Sequence, residues 1–191
     1  MRLTSATLAL LLCAVTTGCV NVATTGAQAL YNHHSIQKSI NDQMTTLHVY
    51  QALNDKNDDF KGVNISVATY NSEVLLTGQV RNAWQRDKLE NMVKNMSGVQ
   101  HIYNLVSISN PSSSLTRVSD AWITAKVKAK LIASFDLDAT QVKVLTENGT
   151  VYLMGILQPD EAQAAVDLAR TTDGVQGVVK VFSYIKISHT A

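Results

Sequence analysis

Two stretches of the chain, "VATYNSEVLLTG" (67–78) and "VLTENGTVYLMG" (144–155), align without gaps at a spacing of 77. Val67, Asn71, Val74, Leu76 and Gly78 coincide with Val144, Asn148, Val151, Leu153 and Gly155. Further on, "MSGVQHI" (96–102) matches "TDGVQGV" (172–178) at a spacing of 76. One residue is therefore lost between the two blocks. Self-similarity of this kind means one supersecondary unit built twice, and no other feature of the chain constrains the fold as much.

Each unit shows the same order of signals. A helix comes first, then a strand, a turn at "YNSE" or "ENGT", and a second strand ending at Gly78 or Gly155. Asn-Gly between apolar alternations is a hairpin signal, because both turn residues tolerate positive φ. A second helix follows. In the second unit it opens on Pro159 with Asp160 and Glu161 in its first turn and buries Ala162, Ala165, Val166 and Ala169. In the first unit Leu89, Met92, Val93 and Met96 form the corresponding stripe. Gly98 and Gly174 read as the caps that end these helices. Alternating runs, "HIYNLVSI" and "VVKVFSYIKI", close the units. "SNPSSSLTR" (109–117) reads as a linker from its Pro and Ser content.

The N-terminal segment "MRLTSATLALLLCAVTTG" has Arg2, then an apolar run from Leu8 to Val15 that is too short for a stable span. It reads as a signal peptide covering residues 1–18. "TTGC" places Gly18 directly before Cys19 and is similar to a bacterial lipobox, in which Cys19 becomes the acylated first residue. Cys13 is removed with the signal, so the mature chain has one cysteine and no internal disulfide. Val20 stands where Gram-negative lipoproteins retained at the inner membrane carry Asp, which by resemblance implies the outer membrane, facing the periplasm. Residues 19–44 read as a lipidated flexible tether with some helical tendency. Its His33–His34 pair has no third ligand nearby.

A duplicated αββαβ unit, with glycine after the second strand and "GV" before the last, resembles the BON domain. Together with the lipobox, the chain resembles the dual-BON-domain outer-membrane lipoproteins. The expected fold is α+β: two tandem domains, at 45–109 and 117–188 with a linker at 110–116. Each would be a three-stranded sheet with two helices on one face. What the resemblance implies is phospholipid binding, with phosphatidylglycerol and cardiolipin as targets, and maintenance of the envelope.

No catalytic motif occurs. GxSxG, P-loop, HExxH and CxxC patterns are missing, and the five histidines are scattered, so neither metal nor cofactor is expected. Asp58–Asp59 and Asp136–Asp138 recur at one point of the repeat and read as solvated loop acids. A net charge of +1 argues against general nucleic-acid binding.

"SDAWITAKVKAKL" (119–131) is the distinctive stretch. With Ser119 or Asp120 as N-cap, a wheel over 120–133 puts Ile123, Val127 and Leu131 on the core side. Trp122 falls on the far side with Ala129 and Ala133. Lys126 and Lys130 lie between, and Lys128 sits on the opposite flank. The matching helix, "TTLHVYQAL" (45–53), has no lysine, so the unit's fold does not require the basic run. Indole suits the headgroup region. Trp122, Lys126 and Lys130, with Ala129, Ala133 and Lys128 around them, are therefore the expected contacts to anionic phospholipid. The competing expectation is an adaptor that docks an envelope protein through a surface such as the sheet edge of the first unit. Trp84 is assigned either to domain packing or to an exposed position.

Overall fold

The computed structural model describes residues 26–55 and 58–184, with side chains from residue 37. Cys19, the signal segment, and the His33–His34 pair's side chains lie outside the described residues. The element order is α1 (Gly26–Asp55), β1 (Asn64–Tyr70), β2 (Glu73–Val80), α2 (Ala83–Lys94), β3 (His101–Asn104), β4 (Ser107–Ile108), α3 (Ser114–Ala133), a 3-10 turn (Ala139–Gln141), β5 (Val142–Glu147), β6 (Thr150–Leu157), α4 (Pro159–Arg170) and β7 (Gly177–Tyr184). This is the expected αββαβ unit, twice.

In each unit the hairpin strands pair antiparallel and the last strand joins the second in parallel. The order is β1-β2-β3 in one sheet and β5-β6-β7 in the other. The run "HIYNLVSI" is split into β3 and β4, both parallel to β2. Leu105 N–H still donates to Leu76 O at 2.9 Å, so the ladder continues across the break.

Both hairpin turns carry two consecutive residues at positive φ. They are Asn71 (55°) and Ser72 (66°) in one, and Asn148 (49°) and Gly149 (72°) in the other. This is the turn geometry that matches strand twist. Gly78 and Gly155 allow close approach instead. A Cβ on Gly78 would lie 2.0 Å from Asn64 O, and one on Gly155 2.3 Å from Gln141 O.

Helix boundaries differ from the sequence-based expectation in three places. Helix α1 begins at Gly26, so residues 26–44, expected as a flexible tether with some helical tendency, are helical throughout. Helix α3 begins at Ser114 with Ser113 as its cap, its hydroxyl accepting from Thr116 N–H. The Ser run looks like linker, yet one of its serines supplies the oxygen that starts the helix. Helices α2 and α4 end at Asn95 and Thr171. Gly98 (φ 87°) and Gly174 (φ 94°) are therefore not the caps; they sit in the turns that lead into the last strands.

Each sheet is buried on both faces. Toward the helices, Val67, Val74, Leu76 and Val80 pack with Val49, Leu89 and Val93 in the first unit. In the second unit Val144, Val151 and Leu153 pack with Ile123, Val127, Leu131 and the α4 stripe. On the other face Leu75 meets Met154 and Val181, with Tyr70, Tyr103, Leu145 and Tyr152 around them. The two sheets thus pack on each other, with helices outside both. Double-sided burial explains why β2 is buried without interruption from Val74 to Val80 and why β6 is a nearly continuous apolar run rather than an alternating one. A polar cluster borders this contact: Gln79 donates to Glu147 Oε1 at 2.8 Å and Asn64 at 3.0 Å. Burial, then the neighbouring Glu147 carboxylate, raises the Tyr152 phenol above its ordinary value.

At the start of α4, Gln158 N–H donates to the Glu161 carboxylate at 2.9 Å. Glu161→Ala removes an acceptor from an otherwise unpaired first-turn donor. It should lower stability by about 1 kcal/mol, read as a shift in the urea midpoint without a change in slope.

Candidate functional site

Helix α3 has two apolar faces. One is the core stripe of Ile123, Val127 and Leu131, all buried. The other points away from it: Leu115, Val118, Trp122 and Ile132 are exposed, Trp122 at 66%. Ala125, Ala129 and Ala133 are exposed between them. Steps of three and four residues keep this second row on one side of the helix for its whole length. A helix of 20 residues is about 30 Å long at 1.5 Å per residue. Just past its end Phe135 is fully exposed and extends the row.

A wheel over 120–133 finds Trp122, Ala129 and Ala133 on this side. Leu115, Val118 and Phe135 lie beyond that window, and Ile132, inside it, falls on the same outward side but is not among the expected contacts. The signal is present in the sequence: a wheel started at Ser114 rather than Asp120 puts Leu115 and Val118 in register with Trp122.

Asp120 is no N-cap. It lies in the second turn of α3, 5% exposed, and its carboxylate accepts from Asn148 N–H at 2.9 Å and Gly149 N–H at 2.8 Å. Asp42 on α1 does the same to Asn71 N–H at 2.7 Å and Ser72 N–H at 2.9 Å. Each first helix is thereby latched to the hairpin turn of its own unit. Thr46 Oγ1 bonds Thr69 Oγ1 at 2.8 Å, and Thr124 repeats this with Thr146 at 2.7 Å. The latch fixes the rotation of α3 about its axis, so the second apolar row must face away from the domain.

The three lysines separate by role. Lys126 donates to Asp173 O, and Lys130 to Thr171 O at 2.6 Å. Both ammonium groups therefore sit at the C-terminal end of α4, where unpaired carbonyls and the helix dipole favour positive charge. They flank the Trp122 row as the wheel anticipates, while serving as structural clamps as well. Lys128 is exposed and reaches the other side of the helix.

Trp84 is exposed at the start of α2, with Lys88 Nζ 4.5 Å from its ring centroid. Lys88 also pairs with Asp59 at 2.7 Å. Asp138 caps the 3-10 turn. Hydrogen bonds from Thr140, side chain first and then backbone, hold its carboxyl below the usual range. These two loop acids therefore have local structural partners. Among the described residues, no group of three His, Cys, Asp or Glu side chains could hold a metal ion. No described helix is long and apolar enough to cross a membrane.

The row on α3 has a counterpart on α1. Ile40, Met44 and Leu47 are exposed and stand 78 positions before Val118, Trp122 and Ala125. The duplicated helix thus keeps an outward apolar row in both units. Only the second unit adds tryptophan, the flanking lysines and Phe135.

The BON domain family model matches residues 41–110 and 119–186. Among curated proteins, the "Outer membrane lipoprotein DolP" of Haemophilus influenzae is 39% identical over 122 residues, covering 63% of this chain and 63% of that protein. The "21 kDa hemolysin" of Actinobacillus pleuropneumoniae is also 39% identical over 122 residues, covering 64% and 63%. The "Osmotically-inducible protein Y" of Escherichia coli is 29% identical over 142 residues, covering 73% and 70%. The chain spans 63% of the length of the first two relatives.

Proposed function

The chain belongs to the BON domain family, with two such domains in tandem, and from that premise we propose that it is a non-enzymatic lipoprotein of the bacterial outer membrane that docks on anionic phospholipid through the outward face of α3. The relatives named as an outer-membrane lipoprotein and an osmotically inducible protein support the envelope setting. Acylation at Cys19 is the anchor in this reading, and envelope integrity is the process served.

One observation carries the docking site: an apolar row with an exposed Trp122 at its centre, held outward by the Asp120 latch. Apolar burial is worth about 25 cal/mol per Å², so partial immersion of four large side chains yields several kcal/mol. Each lysine near an anionic leaflet adds about 1 kcal/mol. That total would recruit a free protein weakly. It is ample for a chain already held at the surface by lipid, where the second contact is effectively intramolecular.

The test is co-sedimentation of the non-acylated chain with vesicles. Binding to phosphatidylglycerol–phosphatidylcholine vesicles that weakens with salt, and none to pure phosphatidylcholine, is the expected result. Equal binding to both would remove the anionic-lipid reading. The adaptor reading retains one supporting observation, the exposed row Ile40, Met44 and Leu47 on α1, which has no tryptophan and no neighbouring lysine run. Loss of vesicle binding on substituting that row, with α3 intact, would move the site to the first domain.

A further inference from the structure

A groove of about 490 Å³ lies between the two domains, on the side where the edge strands β1 and β5 and the helices α1 and α3 come together. Its walls are mainly apolar, with Val67 and Val144 from the strands and Leu131 and Ile132 from α3. Among the described residues that line it, Lys128 and Lys143 are the only charged ones, and none is a carboxylate. Neither ammonium group makes a hydrogen bond or ion pair with a described residue. This contrasts with Lys126 and Lys130, whose ammonium groups are held by backbone carbonyls.

The comparison within the repeat sharpens the point. Tyr50 occupies the place on α1 that Lys128 occupies on α3, and its hydroxyl accepts from Val67 N–H at 3.0 Å, covering the β1 edge. An ammonium group has donors only and cannot play that part for β5. The substitution therefore puts a free cation where the first unit has a satisfied phenol.

We propose that this groove is a binding site for a single fatty-acid anion, with the acyl chain between the strand edges and α3 and the carboxylate on Lys128 and Lys143. Two observations select that chemistry. The volume falls within the range of about 300–1,000 Å³ typical of small-molecule sites, and the lining combines aliphatic walls with positive charge that no described residue neutralises. Ile132 belongs to both the groove wall and the exposed row of α3. The groove therefore opens beside the face assigned to the bilayer, although it rests on its own residues and not on docking.

The experiment is a fluorescence titration of the non-acylated chain with cis-parinaric acid, below its critical micelle concentration and without vesicles. Saturable binding of one probe per chain is expected, together with markedly weaker binding of the probe's methyl ester. Lys128→Glu removes a charge-assisted hydrogen bond and should weaken binding about tenfold. Gln43→Trp places an indole in the groove from an exposed position of α1 and should abolish it. Equal affinity for acid and ester overturns the proposal, as does unchanged binding by both variants or no saturable binding. Because the titration contains no bilayer, its failure leaves docking standing. A failure of vesicle co-sedimentation likewise leaves this site standing.

Discussion

Trp122→Glu should abolish co-sedimentation with phosphatidylglycerol vesicles while leaving the melting temperature near that of the parent. The indole is 66% exposed and contributes little to the core, so its replacement costs the fold little. Tryptophan carries about 150–250 Å² of buriable surface, two-thirds of it exposed here, and at about 25 cal/mol per Å² the loss of that part from the interface forfeits roughly 2.5–4 kcal/mol. The introduced carboxylate also faces an anionic leaflet. Together these terms reduce binding by well over a factor of about ten, since 1.4 kcal/mol is tenfold. Trp84→Glu is the matched control. It changes the chain's other exposed tryptophan, on the first domain, and should leave vesicle binding unchanged. The double variant Lys126→Glu with Lys130→Glu should also lose binding. Its effect is mixed, because those ammonium groups clamp the end of α4. If Trp122→Glu binds as the parent does, the outward face of α3 is not the docking site.

The αββαβ order, the Asn-Gly turn and the α4 core stripe are legible in the sequence, because each has a local signature of spacing or turn chemistry, and the order and the stripe recur in both units. The α3 core stripe is legible for the same reason. What is not legible depends on partners distant in sequence. Nothing local shows that Lys126 and Lys130 point at carbonyls of Asp173 and Thr171, more than forty residues on. The packing of one sheet on the other is written more faintly, in the lack of alternation along "EVLLTGQV" and "TVYLMGIL". Leu75 and Met154 face away from their own helices, where a period-two pattern with one buried face requires polar residues. The half of the docking row that the wheel leaves out has a simpler cause. Pro111 and the serines after it carry a linker signal, and that signal masks Ser113 as a cap. Leu115 and Val118 go with it, because they lie in the first turns of the helix.

Asp120→Ala should be the most damaging single substitution among the polar residues of the second domain. The carboxylate is buried and accepts from two amides of the hairpin turn. Both amides belong to residues held at positive φ, so the turn cannot rotate to find water without breaking the β5–β6 register. Each donor left unsatisfied costs about 1–3 kcal/mol, so the total is roughly 2–6 kcal/mol. Asp120→Asn should recover part of it, because the amide oxygen accepts one N–H while the NH₂ opposes the other. The chain has two tryptophans, one in each domain, so urea unfolding followed with Trp84→Phe and Trp122→Phe backgrounds reports the domains separately. Asp42→Ala makes the mirror-image change in the first domain. If the contact of Leu75 with Met154 and Val181 joins the domains into one cooperative unit, either substitution shifts both probes together. If it does not, each shifts only its own. A midpoint for Asp120→Ala equal to the parent's would show that the latch does not hold α3, and the inference that its apolar row is forced outward would fall with it.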